Sequence, residues 1–181
     1  MDRTDLERSQ TEINGHSVIV EPDRILHFII RGDLRLEESK FVQSRLYELS
    51  DRYGRIAFLI DVTKMAGFDA ATRQAWVHVP KPFSLDVACL YGGSFTIRTL
   101  IKTVYRAAVL LHPSFFQFAL ELPRTEEEAR AIIAAYRAKA RDDGQANRTR
   151  LRRATCVNVL EAQHAESPAE TDHPAETSSG D

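Results

Sequence analysis

Two aspartates, Asp61 and Asp69, stand eight residues apart. The first closes the apolar run IAFLI at residues 56–60, and the second precedes the segment AATRQAWV. Acids at the end of a strand and the start of a helix fall where open α/β sheets place their sites, in the crevice at the carboxyl ends of the strands. A simpler employment competes with that reading: Asp69 can accept an orphan backbone N–H as a helix N-cap, which accounts for it in full, while Asp61 orders its loop. A second candidate is the turn Gly92-Gly93-Ser94. It follows an apolar run and opens a helical pattern, so Gly93, Ser94 and Arg98 could hold an anion on exposed N–H groups and a guanidinium. An ordinary Ser-capped turn explains the same residues.

Six histidines, His16, His27, His78, His112, His164 and His173, are scattered with no i, i+4 pair. No GxGxxG, Walker A loop, GxSxG elbow or HExxH stretch occurs, and no nucleophile–base–orienter set is visible. An enzyme using Asp61, Asp69 or His78 is therefore the weakest reading. No catalytic residue, metal or cofactor is expected. A short basic cluster, Arg148, Arg150, Arg152 and Arg153, lacks interleaved aromatics and adjoins an acidic segment, which argues for a solvated linker over a nucleic-acid site.

The elements that must position these residues follow from periodicity. Residues 16–21 (HSVIVE) and 25–31 (ILHFIIR) read as strands joined by a Pro22-Asp23 turn, a hairpin. Residues 36–53 carry Leu36, Phe41, Val42, Leu46 and Leu49 at helical spacing, with Gly54 as the stop. The run 56–60 suits a central strand buried on both faces. Residues 70–79 form a helix capped by Asp69 and ended by Pro80 and Pro82. Residues 86–91 are a strand, 94–111 a helix with an apolar face, 115–122 a last strand, and Thr125 with Glu128 is the capping box of a final helix that ends near Asp143. The order β-β-α-β-α-β-α-β-α predicts an α/β fold with a mostly parallel sheet of four to five strands and crossover helices.

Composition sets the boundaries. Residues 1–14 are polar and read as a flexible N-terminus, 15–143 as the folded domain, and 144–181 as a disordered tail, basic and then acidic. Residues 161–181 hold no Lys or Arg and too little apolar surface to offset their ordering entropy. A net charge of −2 gives no global pull toward nucleic acid or an anionic membrane. No run of about 18 apolar residues occurs, so no membrane span is expected. Cys89 and Cys156 do not suggest a disulfide framework, and a reducing, cytoplasmic setting is the simplest.

The segment FLIDVTKMAGFDAATRQAW resembles the signature region of STAS domains, the family that includes bacterial anti-sigma-factor antagonists. An apolar strand ends in Asp, a loop follows, and a second Asp opens a helix. Asp61 and Asp69 occupy those two positions, and the order of elements over residues 16–140 agrees. It is closer still to a divergent STAS-like branch related to small lipid-binding Sec14-type domains. The resemblance implies a non-enzymatic regulatory module that binds a protein partner, a regulatory kinase or an anti-sigma-type protein, at this helix N-terminus. Its surface would comprise Asp61, Phe68, Asp69, Thr72, Arg73 and Trp76, together with a loop over residues 63–68. In the family a Ser after the second Asp takes a phosphate, whose added charge releases the partner. Here that position is Ala70, which cannot be phosphorylated, and Thr72 is the first hydroxyl after it. The alternative is a domain for a lipid or small molecule, built on the apolar helix at residues 94–111 and on Phe115, Phe116 and Phe118.

Overall fold

The computed structural model of the chain describes residues 8–141. The expected tail at 144–181, with its basic cluster, Cys156 and two histidines, lies outside the described residues. One compact unit ends at Ala138, and Lys139 begins a second.

Among the described residues six strands form one sheet in chain order: β1 (Ser9–Ile13), β2 (His16–Glu21), β3 (Ile25–Leu34), β4 (Ile56–Phe68), β5 (Leu85–Tyr91) and β6 (Ala119–Glu121). β1–β2 and β2–β3 pair antiparallel, and β3 to β6 pair parallel. Helices α1 (Leu36–Tyr53), α2 (Ala70–Val77) and α3 (Phe95–Leu111) make the three crossovers. A fourth helix, α4, covers residues 126–141. Because the parallel strands advance in one direction, right-handed crossovers must put α1, α2 and α3 on the same face. The core follows that rule. Val42 and Leu46 of α1 and Ile97 and Ala108 of α3 join Leu26, Phe28, Phe58, Val62 and Leu90. The alternate strand positions, Ala57, Leu59, Val87 and Cys89, meet Ala129 and Ile133 of α4 on the second face.

Three expectations are corrected. The first strand lies in the segment read as flexible. Asn14 (φ 49°) and Gly15 (φ 84°) form the two-residue turn that returns β1 onto β2, and Asn-Gly suits it because both positions need positive φ. The sheet thus has one strand more than expected. Residues 63–68, read as a loop, are strand. β4 continues to Phe68 because β3 continues to Leu34, past irregularities between Ile29 and Arg31 and between Gly32 and Asp33. Gly32 takes the left-handed conformation that such a bulge needs (φ 79°). Last, residues 115–118 are not strand, and β6 begins at Ala119. Residues 113–115 turn the chain after α3, and Phe116 and Phe118 both pack into the aromatic cluster of Phe83 and Tyr105.

Candidate functional site

The first face of the sheet is filled tightly at one end and loosely at the other. Under α1, Val42 and Leu46 are essentially inaccessible. Under α3 the middle of the helix, Ile101, Val104 and Tyr105, is only half-buried, and the facing strand position is the small Ala88. The space left is a cavity of about 110 Å³ whose lining is wholly aliphatic and aromatic, with Phe58, Ala88, Leu90, Tyr105, Ala108 and Phe118 among its walls. The polar atoms of its amphipathic residues are engaged elsewhere. The Tyr105 hydroxyl donates to the Phe118 carbonyl, and Trp76 Nε1–H donates to Ser39 Oγ at 3.2 Å. Water needs two or more polar partners to settle in a cavity. This one offers a lining suited to a hydrocarbon.

The residues singled out around the two aspartates separate on folding. Asp61 shares the second face with Ala57 and Leu59, and its Oδ1 accepts from Thr63 N–H at 2.8 Å. Asp69 caps α2 by accepting from Thr72 N–H at 2.7 Å. That backbone donor above all holds the Asp69 carboxyl below the usual range. Thr72 is fully buried, and its hydroxyl donates to the Leu34 carbonyl at 3.4 Å. Arg73 donates to the Phe68 carbonyl at 3.0 Å and lies 6.0 Å over that ring. Phe68 and Trp76 line the cavity, and Trp76 stacks on Phe58 with ring centroids 6.2 Å apart. The helix opened by Asp69 therefore presents Ala70 and Ala71 outward and sends its aromatic residue inward.

At the Gly-Gly-Ser turn, Ser94 Oγ accepts from Ile97 N–H at 3.3 Å and caps α3. Arg98 donates to the carbonyls of Gly92 (3.3 Å), Pro123 (2.7 Å) and Leu122. Its guanidinium thus ties the start of α3 to the chain leaving β6. Gly92 and Gly93 are fixed by close packing: a Cβ on Gly93 would lie 2.8 Å from the Val62 side chain, and one on Gly92 would lie 2.2 Å from Thr63 Oγ1.

A polar cluster that the sequence reading missed closes the second face. Arg130 of α4 grips Glu21 with two bonds of 2.8 and 2.9 Å and holds Glu126 through Nε at 2.7 Å. Tyr91 donates to Glu126 at 3.2 Å, lies 3.1 Å from His27 Nε2, and His27 Nδ1 lies 3.2 Å from Glu21. The contacts Glu21–His27, His27–Tyr91 and Tyr91–Glu126 call for three protons. A neutral imidazole and a phenol supply two, so one contact stays unbridged in either tautomer. Burial pushes the His27 imidazole below its ordinary value, although Glu21 and Glu126 pull the other way. The bonds from Arg130 hold the Glu21 carboxyl below the usual range against its own burial. Burial also raises the Tyr91 phenol. The signal that could have found this ring is position parity: Glu21, His27 and Tyr91 share the side of their strands that carries Ile25, Val87 and Cys89.

No family model matches the chain, and no curated protein matches it. Among solved structures it is similar to an uncharacterised protein from the DUF3478 family with a SpoIIAA-like fold from Shewanella loihica PV-4. The two share 14% sequence identity over 70% of this chain and 92% of that one, with a TM-score of 0.42.

Proposed function

We propose that the chain is a non-enzymatic, STAS-like domain that takes an uncharged hydrocarbon group, an acyl chain segment or a small aromatic ring, into the cavity under α3. One observation carries this reading: about 110 Å³ of space walled only by apolar side chains. Cavities of about 150 Å³ with similar walls stay dry and bind benzene or xenon, so this one suits a group of comparable or slightly smaller bulk. Tight packing is the rule in protein interiors, and empty cavity volume lowers stability by roughly 24 cal/mol per Å³. Filling it with ligand recovers part of that. Native mass spectrometry of the full chain purified from cells tests the reading. The expected result is an added mass that is lost on denaturation and absent from Ala108→Leu, which fills the cavity from α3. Identical masses for the wild type and the variant, both bare even after incubation with apolar probes, would contradict it.

A second reading, docking of a regulatory protein at the start of α2, is favoured by the placement of Phe68 and Trp76. Both belong to the expected partner surface and both wall the cavity, so an occupant would touch the residues that carry that surface. With Ala70 at the phosphoacceptor position and Thr72 buried, such docking would answer to the occupant and not to a phosphate. Affinity capture with Asp69→Arg as the control tests it: a partner retained equally by the variant argues against this surface.

A further inference from the structure

Two helix ends meet beside the cavity. His78 is the C-cap of α2 and His112 the C-cap of α3, and their backbone N–H groups close the last turns onto the carbonyls of Gln74 and Ala108. His78 Nδ1 faces His112 Nε2 across 3.3 Å, with ring centroids 5.5 Å apart and planes inclined by 76°. His78 is exposed and His112 half-buried, so solvent reaches the pair.

We propose that His78 and His112 form a binding site for a divalent transition-metal ion of the Zn²⁺, Ni²⁺ or Cu²⁺ class, bridging α2 to α3. Imidazole nitrogen is a good ligand for these ions. Zn–N bonds are about 2.0–2.1 Å, and two of them at a tetrahedral angle set their nitrogens roughly 3.3–3.4 Å apart, which is the spacing found here. A second observation points the same way. Both rings stand at helix C-termini, where partial negative charge favours a cation, and here two such ends converge. Without a metal the two nitrogens share one proton as an N–H···N hydrogen bond; an ion in its place would be held by both lone pairs. Among the described residues no group of three or more His, Cys, Asp or Glu is placed to hold a metal. The ion would thus have two ligands from this pair and complete its shell with water, giving a weaker, exchangeable site than a structural zinc centre.

The position gives the ion something to do. Trp76 lies two residues before His78, Ala108 four before His112 and Phe116 four after it, and all three wall the cavity. A bound ion therefore fastens α2 to α3 and slows exchange of a cavity occupant. This consequence rests on the apolar-ligand reading above, whereas metal binding itself does not.

The test is calorimetric titration of the chelator-treated full chain with ZnCl₂ in a non-coordinating buffer, alongside His78→Ala, His112→Ala and the double variant. The pair is at the surface, so circular dichroism should show all of them folded. The expected result is saturable binding whose affinity falls at least tenfold in each single variant and reaches background in the double variant. Undiminished Zn²⁺ affinity in the double variant, or no binding by the wild type at millimolar Zn²⁺, overturns the site. Binding of benzene, measured in the presence of chelator, reports on the cavity alone, so failure of one reading is distinguishable from failure of the other.

Discussion

On one face of the sheet, α1, α2 and α3 cover the strands with apolar side chains and leave about 110 Å³ unfilled. On the other, α4 is fastened by a ring of five polar side chains, Glu21, His27, Tyr91, Glu126 and Arg130, beside a small apolar cluster. The difference teaches what each kind of interaction tolerates. Apolar contact has no direction and degrades gradually, so a half-buried helix such as α3 can stand off from a strand bearing Ala88 and still be held. Charged groups under a helix are costly when unpaired, so the second face has no comparable slack. On the proposed reading the first face receives the ligand, and the second holds the sheet in place.

Breaking the fixed face should have the largest effect. Arg130→Met removes both bonds to Glu21 and leaves that carboxylate largely buried without its partner. We expect a loss on the order of 2–3 kcal/mol, below the range for fully buried pairs because Arg130 is partly exposed; urea unfolding measures it. A loss within error of zero would mean that the ring holds nothing. The same ring makes stability depend on pH. His27 has a folded pKa below its ordinary 6.5, so its contribution is complete above 6.5 and falls as the pH drops toward the folded value. Glu21 has a folded pKa below 4.5, so its contribution is complete above about 4.5 and is lost as the pH falls through the folded value. Unfolding midpoints from pH 8 to pH 3 should therefore decline in two stages, and Arg130→Met should flatten the lower one.

On the loose face the expected change has the opposite sign. Ala88→Val adds methyl groups toward the void and β-branching to a central strand. It should stabilise the empty protein by about 1 kcal/mol, the scale for filling a small part of a cavity, while reducing apolar-ligand affinity. Destabilisation would show that the space is not open to a side chain. The smallest effect belongs to the cap: Asp69→Ala should lower the thermal midpoint slightly through loss of the bond to Thr72 N–H, with the cavity unaffected. On the second face, Cys89 reports on the frame. Burial raises its thiol to about 12, so it should resist alkylation at pH 8 until the chain unfolds.

Much of the fold is written in local pattern. The helix of Leu36–Tyr53, the Asp69 and Ser94 caps and the hairpin at Glu21–Ile25 follow from period and turn chemistry. The first strand was legible as well, in Asn14-Gly15, but a polar, exposed edge strand gives no apolar alternation to read. The continuation of β4 through residues 63–68 was not legible, because it depends on a bulge in its neighbour. The candidate site divides in the same way. The residues of α3 and the phenylalanines at 115–118 were visible as an apolar surplus, but a cavity is a difference between volumes brought together by folding, which no single segment encodes. The ring joins Glu21 to Arg130 across 109 residues, and the His78–His112 pair spans 34. Spacing along the chain cannot announce either.

The most direct test of the account is thermal unfolding of the wild type and Ala108→Leu in the presence and absence of saturating benzene, with chelator throughout. A ligand that binds only the folded state raises its stability by mass action. The account predicts a rise in the wild-type midpoint of several degrees that disappears in Ala108→Leu, whose own midpoint without benzene is at or above that of the wild type. Equal benzene shifts in both proteins, or none in either, would contradict a ligand-accepting cavity under α3.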